Sequence, residues 1–258
     1  MNSSLSGFAP FRSWTPLVDP GSLPHGSVLV IAPHPDDEVI GCGGAIAFHV
    51  ARGDRVHVVH VTGGEAGDPK AVYGDALVAT RHREARAAAA VLKIDEVKSL
   101  ASPDGRPFPD GNLRPDAALV AALVAEIDRI CPALIYAPSL LECHPDHLAT
   151  ALAAGRAAAE SPLLLRLFGY EVNHPTLATF LLDITPWIEV KREALAAFAS
   201  QQRYNDLVGK RLGLAYARTI NIDLRGIEYV EAFMEVKPEQ IDELWRDLAA
   251  LHAKYGLP

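Results

Sequence analysis

The sequence predicts an α/β fold: a mostly parallel sheet with helices on both faces and an antiparallel C-terminal addition. Three observations predict it. Strand-like and helix-like segments alternate from Val28 to Ala159, two of the apolar runs stop abruptly at His/Asp clusters, and after Pro162 strand-like runs follow one another with no helix between them. At 258 residues, 49% hydrophobic and 22% charged, the chain has the profile of one large globular domain. No stretch rich enough in Pro, Gly or Ser divides it, so residues 27–258 read as a single domain behind an N-terminal arm, 1–26.

Each element has its own signal. Val28 to Ala32 is a β-branched strand, and Asp37 to Ala51 a helix closed by Arg52-Gly53. Arg55 to Thr62 alternates with period two, as a strand does. Gly63 to Gly74 is a loop, Leu77 to Leu92 an Ala-rich helix, Val97 to Leu100 a short strand, and Ser102 to Pro115 a Pro/Gly/Asp loop. A helix from Pro115 to Ile130, a strand from Ala133 to Ala137 and a helix from Pro145 to Ala159 complete the alternating part. Leu163 to Val172 and Thr179 to Ile184 then read as consecutive strands, hence the antiparallel addition. Trp187 to Ala199 is helical, Tyr229 to Val236 a last strand, and Pro238 to Lys254 a terminal amphipathic helix.

Bulk charge narrows the function. A net charge of -8 argues against nucleic acid or an anionic membrane surface as partner. No apolar run reaches the roughly 18 residues that span a bilayer, and Met1 to Gly26 lacks the basic and apolar regions of a signal peptide. With three cysteines and no CxxC pair, the expected compartment is the reducing cytoplasm. A homo-oligomer is left open.

The chemistry concentrates in two clusters. Val28 to Ala32 runs into Pro33-His34-Pro35-Asp36-Asp37-Glu38, and Ala133 to Ala137 leads to His144-Pro145-Asp146-His147. Taken singly, the first reads equally as acidic capping of a helix N-terminus and the second as a solvated helix face. Two parallel strands, however, bring both to one sheet edge, where open α/β sheets bind ligands. His34, Asp37 and His147 then suit Zn²⁺ with a coordination position left for water, although Fe²⁺ or another divalent ion is compatible. Asp36 is placed to act as general base. His144, three residues before His147, shares its helix face and is the candidate oxyanion stabiliser or acid. Asp146 is the candidate acceptor that orients an imidazole.

Other residues carry weaker signals. His57 and His60, at odd spacing on one strand, face opposite sides and read as structural; His49 and His252 read as surface or packing residues. Cys143, beside His144, reads as a thiol that is buried or lies behind the ligands, not as a ligand itself. Gly41, Gly43 and Gly44 do not fit a dinucleotide fingerprint, because acidic residues occupy the phosphate-binding turn, and are expected to permit close packing.

These motifs, with Gly41-Cys42-Gly43-Gly44, Thr62-Gly63-Gly64-Glu65 and Arg81-His82-Arg83-Glu84, resemble the PIG-L/LmbE-like family of zinc-dependent N-acetylglucosamine deacetylases. The resemblance covers Val28 to Ala159 and continues more loosely through Lys191 to Gln201 and Glu231-Ala232-Phe233. It implies a Rossmann-like fold, His34, Asp37 and His147 as ligands, Asp36 as base and His144 as oxyanion stabiliser or acid. The expected reaction is hydrolysis of an N-acyl group from a small amino-sugar conjugate. Arg81, Gly64 and Glu65, and more weakly Glu171 and His174, are the expected substrate contacts, with an Arg81–Glu84 ion pair as the competing use of Arg81. An amidase acting on a non-sugar amide or thiol conjugate, and a non-catalytic ligand-binding module, are the alternatives. Pro33 and Lys93 depart from the family pattern, where Ala and Gly are usual.

Overall fold

The computed structural model describes residues 16–255. Strands β1 (Ser27–Ala32), β2 (Arg55–His60), β3 (Glu96–Ser99), β4 (Leu134–Pro138), β5 (Arg166–Tyr170), β6 (Phe180–Asp183) and β7 (Val230–Val236) form one sheet in the order β3-β2-β1-β4-β5-β7-β6. The first five are parallel, and β7 is antiparallel to both β5 and β6. The helices are α1 (Asp37–Ala51), α2 (Leu77–Leu92), α3 (Ala117–Ile130), α4 (Pro145–Glu160), α5 (Ile188–Ala196), α6 (Ala199–Gln202), α7 (Leu207–Ala217) and α8 (Ile241–Tyr255).

Period-two alternation on the strands feeds two apolar layers. Val28, Val30, Val58 and Tyr136 pack on one face with apolar residues of α1, α2, α5 and α7. Leu29, Ile31, Val59 and Ile135 pack on the other with α3, α4 and α8. The expected Rossmann-like arrangement of a mostly parallel sheet covered on both faces is therefore present.

Two expectations about the C-terminal third change. The runs at 163–172 and 179–184 do not pair with each other: β5 is parallel to β4, and β7 inserts between β5 and β6. Phe233 of β7 fills that slot, 5.2 Å from the Tyr136 ring and stacked 5.4 Å from Phe180. Helices α6 and α7 were not expected, since Gly209 and Gly213 blur the helical signal of α7. Lys93 caps α2 in the left-handed conformation usually taken by Gly, at φ 57°.

The described part of the arm is tied to the body: Val18 N–H donates to the Leu181 carbonyl at 2.8 Å, and Arg52 donates to the carbonyls of Pro20, Leu23 and Pro24. Residues 1–15, and the His252 side chain, lie outside the described residues. Among the described residues no helix is long and apolar enough to cross a membrane.

The topology fixes where a site must form. From β1 the chain moves outward through β2 and β3, and from β4 outward the other way through β5, so the crevice between β1 and β4 is a topological switch point. The two His/Asp clusters follow those two strands.

Candidate metal centre at the switch point

His34 follows the end of β1, Asp37 opens α1, and His147 lies in the first turn of α4 behind Pro145 at N1. Three atoms from these residues form a nearly equilateral triangle. His34 Nδ1 is 3.0 Å from Asp37 Oδ2, and His147 Nε2 is 3.3 Å from each of them. Ligands held about 2.0–2.1 Å from a tetrahedral ion lie about 3.3 Å apart, so the triangle has the size of one face of such a shell.

The other nitrogen of each imidazole rests on carboxylates. His34 Nε2 is 2.9 Å from Asp110 Oδ1 and 3.3 Å from Asp146 Oδ2, and His147 Nδ1 is 3.1 Å from Glu142 Oε2. Such backing fixes tautomer and ring orientation in metal sites. These carboxylates are themselves anchored by backbone N–H groups: Asp146 by Gly111 and Leu113, Asp110 by Ala66, and Glu142 by Val172 and Asn173. Two further groupings bring ligand atoms together, His34 with His144 and His147, and His34 with Asp110 and Asp146; in the first His144 Nδ1 already accepts from the Asp146 N–H, and in the second the carboxylates are committed in this way. Asp110 and Glu142 went unrecognised in the sequence because both lie in irregular loops with no periodic signal.

Electrostatics match the geometry. Burial pulls the His147 pKa down, but Asp37 and Glu142 outweigh it and raise it to about 9. His34 is likewise raised, burial being outweighed by Asp110, Asp146 and Asp37. Burial opposes ionisation of Asp37, yet the two imidazoles hold it well below the usual carboxylate range. The pocket thus stabilises positive charge at the triangle.

Asp36 stands beside this triangle in an unusual backbone conformation, φ 134°. Its N–H donates to Glu38 Oε2 at 3.1 Å, and its carbonyl accepts from Ile40 at 2.9 Å. Burial pushes its carboxyl up to about 7; Arg81 opposes the rise, while Asp37 and Glu38 reinforce it. Arg81 Nη2 lies 3.1 Å from Asp36 Oδ1 and also donates to the Pro35 carbonyl, while Nη1 donates to Gly64. Gly64 is required at that contact: at φ 71°, an added Cβ would sit 2.1 Å from Arg81 Nη1. The competing Arg81–Glu84 pair does not form, because Glu84 accepts from the Ser200 N–H and hydroxyl on α6.

His144 caps α4, its Nδ1 accepting from the Asp146 N–H at 3.2 Å. The neutral ring therefore carries its proton on Nε2. Burial, then His147 and His34, lower its pKa and keep it neutral.

The cleft over these groups has a volume of about 220 Å³, and its far wall includes Gln201, Asn205 and Arg211 from the α6–α7 region. Arg211 donates to the Val172 carbonyl, and its Nε has no partner among the described residues. Several expected contacts fall elsewhere. Glu65 and His174 are exposed and do not line the cleft, His174 bonding the neighbouring Pro175 carbonyl instead. Glu171 is ion-paired with Arg218. Cys143 is exposed, not buried, because the turn that sends Glu142 inward points its neighbour out. His49 is buried, between Asp54 and Tyr136. His57 and His60 lie on opposite faces as expected, but His60 Nε2 approaches Glu38 Oε2 at 3.1 Å, behind the site.

Comparison with known proteins is consistent across sequence and structure. The family model described as PIG-L, GlcNAc-PI de-N-acetylase, matches residues 29–158. The chain is 31% identical over 203 residues to the 1D-myo-inositol 2-acetamido-2-deoxy-alpha-D-glucopyranoside deacetylase of Mycolicibacterium vanbaalenii, covering 66% of this chain and 69% of that protein. It is 28% identical over 253 residues to the 4-oxalmesaconate hydratase of Pseudomonas putida, covering 86% and 94% respectively. The N,N'-diacetylchitobiose deacetylase from Pyrococcus horikoshii superposes with a TM-score of 0.70 at 25% identity, over 83% of this chain and 85% of that one.

Proposed function

The chain belongs to the PIG-L family of GlcNAc-PI de-N-acetylases, and from that premise we propose that it is a divalent-metal-dependent hydrolase removing an N-acetyl group from a small amino-sugar conjugate. The observation that carries the reading is the triangle of His34 Nδ1, Asp37 Oδ2 and His147 Nε2 with a carboxyl of pKa about 7 beside it. We assign the ion to His34, Asp37 and His147, with Zn²⁺ the best match to two imidazoles and a carboxylate and Fe²⁺ compatible. A cation held there would polarise the acyl carbonyl and make water a stronger acid.

The chain's own residues supply the remaining steps. Asp36 takes a proton from the attacking water, held in place by the Arg81 guanidinium. His144 donates its Nε2 proton as a hydrogen bond to the carbonyl oxygen as that oxygen gains charge. Water oxygen bonds to the acyl carbon, the C–N bond breaks, and Asp36 passes the proton to the departing nitrogen, giving acetate and an amine. Asp146, Asp110 and Glu142 orient the imidazoles. Arg81, seated against Gly64 behind it, lines the wall, and the amides of Gln201 and Asn205 suit sugar hydroxyls. The cleft lies below the roughly 300–1,000 Å³ of drug-sized sites, which favours a single sugar ring with its conjugate outside. Residues 27–258 act as one catalytic domain behind the arm 1–26.

Two observations favour a second reading. The alignment with the hydratase spans 94% of that protein, and Arg211 offers the cleft a guanidinium with no carboxylate partner among the described residues. Water addition to an unsaturated tricarboxylate would use the same base and cation. Purified protein loaded with Zn²⁺ is incubated in parallel with N-acetylglucosaminyl inositol, N,N'-diacetylchitobiose and 4-oxalmesaconate. Equimolar amine and acetate from a sugar substrate is the expected result. Loss of the conjugated absorbance of 4-oxalmesaconate without amine release from either sugar would overturn the deacetylase reading in favour of the hydratase.

A further inference from the structure

Helix α1 is broken at Cys42, whose φ of −140° and ψ of 26° leave the helical region. In an unbroken helix the Gly44 N–H would donate to the Ile40 carbonyl and the Ala45 N–H to that of Gly41. Here Gly44 N–H donates to Glu231 Oε1 at 2.7 Å and Ala45 N–H to Glu231 Oε2 at 2.8 Å, while the Ile40 carbonyl accepts from Lys191 Nζ at 2.9 Å. Lys191 Nζ and Glu231 Oε1, 2.6 Å apart, close the circuit. An ion pair from α5 and β7 is thus inserted into the hydrogen-bond ladder of α1, a recognised cause of helix kinks. Both residues are almost fully buried, 2% and 4% exposed. The glycines admit the pair: a Cβ at Gly43 would sit 3.2 Å from Lys191 Cγ.

A buried ion pair is an expensive way to stabilise a fold; well-packed apolar residues and a continuous helix do so at lower cost. What the break provides is independent placement of a single turn. That turn, Asp36 to Gly41, carries Asp36 and Asp37, and its Ile40 lines the cleft. We propose that Lys191 and Glu231 are positioning residues that set the angle of this turn, bringing Asp37 Oδ2 to the two imidazoles and Asp36 to Arg81. The inference rests on the metal-centre reading and assigns neither residue any contact with substrate or ion.

The test uses the full chain, stripped of metal and titrated with Zn²⁺ against a chelating indicator, then with Co²⁺ followed by visible absorption. E231Q and K191M are expected to fold, to bind Zn²⁺ about 10–100-fold more weakly, as loss of groups that orient ligands does elsewhere, and to show altered Co²⁺ bands. K191R, which keeps charge and donors, is expected to stay close to the parent in both readouts. Folded E231Q with the parent's affinity and spectrum overturns the inference alone. A parent that takes up neither Zn²⁺ nor Co²⁺ overturns the metal-centre reading and this inference with it. Should E231Q and K191M not fold, E231D decides: it keeps the charge but draws the carboxylate back by one methylene, so weakened binding supports the inference and parental binding overturns it.

Discussion

Asp36 combines three properties seldom found in one residue: burial, a positive φ and a carboxyl pKa near neutrality. A non-glycine residue held at φ 134° stores strain, of order 1–3 kcal/mol, and here the strained position is the one assigned the proton transfer. D36N is expected to lower kcat by about 10²–10⁴-fold while zinc analysis shows the metal retained. D36G, which relieves the strain, is expected to be at least as stable in urea as the parent and equally inactive. The pH profile follows with its sign. The base works deprotonated, so kcat/KM falls as the pH drops through its pKa. A cation at the adjacent triangle pulls that pKa below the metal-free value of about 7, so the acid limb of the loaded enzyme is expected below 7. A limb above 7 would point to another group. That His34, Asp37 and His147 would meet at one crevice was legible, because strand ends and helix starts have strong local signals. Asp110, Glu142 and Arg211 were not, since their roles arise only when loops and α7 fold against the crevice. Arg81 was ambiguous for the same reason: its partner is Asp36 across the cleft, not Glu84 on its own helix.

At the scale of elements, α1 and α2 begin and end where apolar periodicity and flanking residues placed them. The glycine run of α1 was correctly assigned to close packing. A Cβ at Gly41 would sit 2.1 Å from Tyr170 Cδ2, and one at Gly44 2.5 Å from Ile184 Cγ2. G41A and G44A are therefore expected to cost about 1–3 kcal/mol of stability, measured by urea unfolding. The break at Cys42 was illegible, because the charged pair that creates it comes from α5 and β7, far along the chain. The order of β5, β7 and β6 escaped for a related reason: alternation identifies a strand but not its neighbour, and the ladders that seat β7 between β5 and β6 join residues far apart in the chain.

Across the whole molecule, two apolar layers hold a sheet whose switch point gathers the polar groups. A second polar knot joins the arm, α1 and β4: Asp54 accepts from Gly26 N–H at 3.0 Å and pairs with His49 at 2.7 Å, and His49 Nε2 meets the Tyr136 hydroxyl at 3.0 Å. Burial lowers the His49 pKa from 6.5 to about 4, against the pull of Asp54. The unfolded chain then binds more protons than the folded one between those values, so stability present above pH 6.5 is lost as pH falls, by up to about 3 kcal/mol. Urea unfolding of the metal-stripped protein at pH 7 and pH 5 is expected to show a steeper loss in the parent than in H49Q. Distant stretches of chain are expected to share one cation. Metal analysis of the parent and of the H34A/H147A double variant, after dialysis against Zn²⁺, decides whether they do. About one equivalent in the parent and almost none in the double variant is the expected result; full retention by a folded double variant would contradict it.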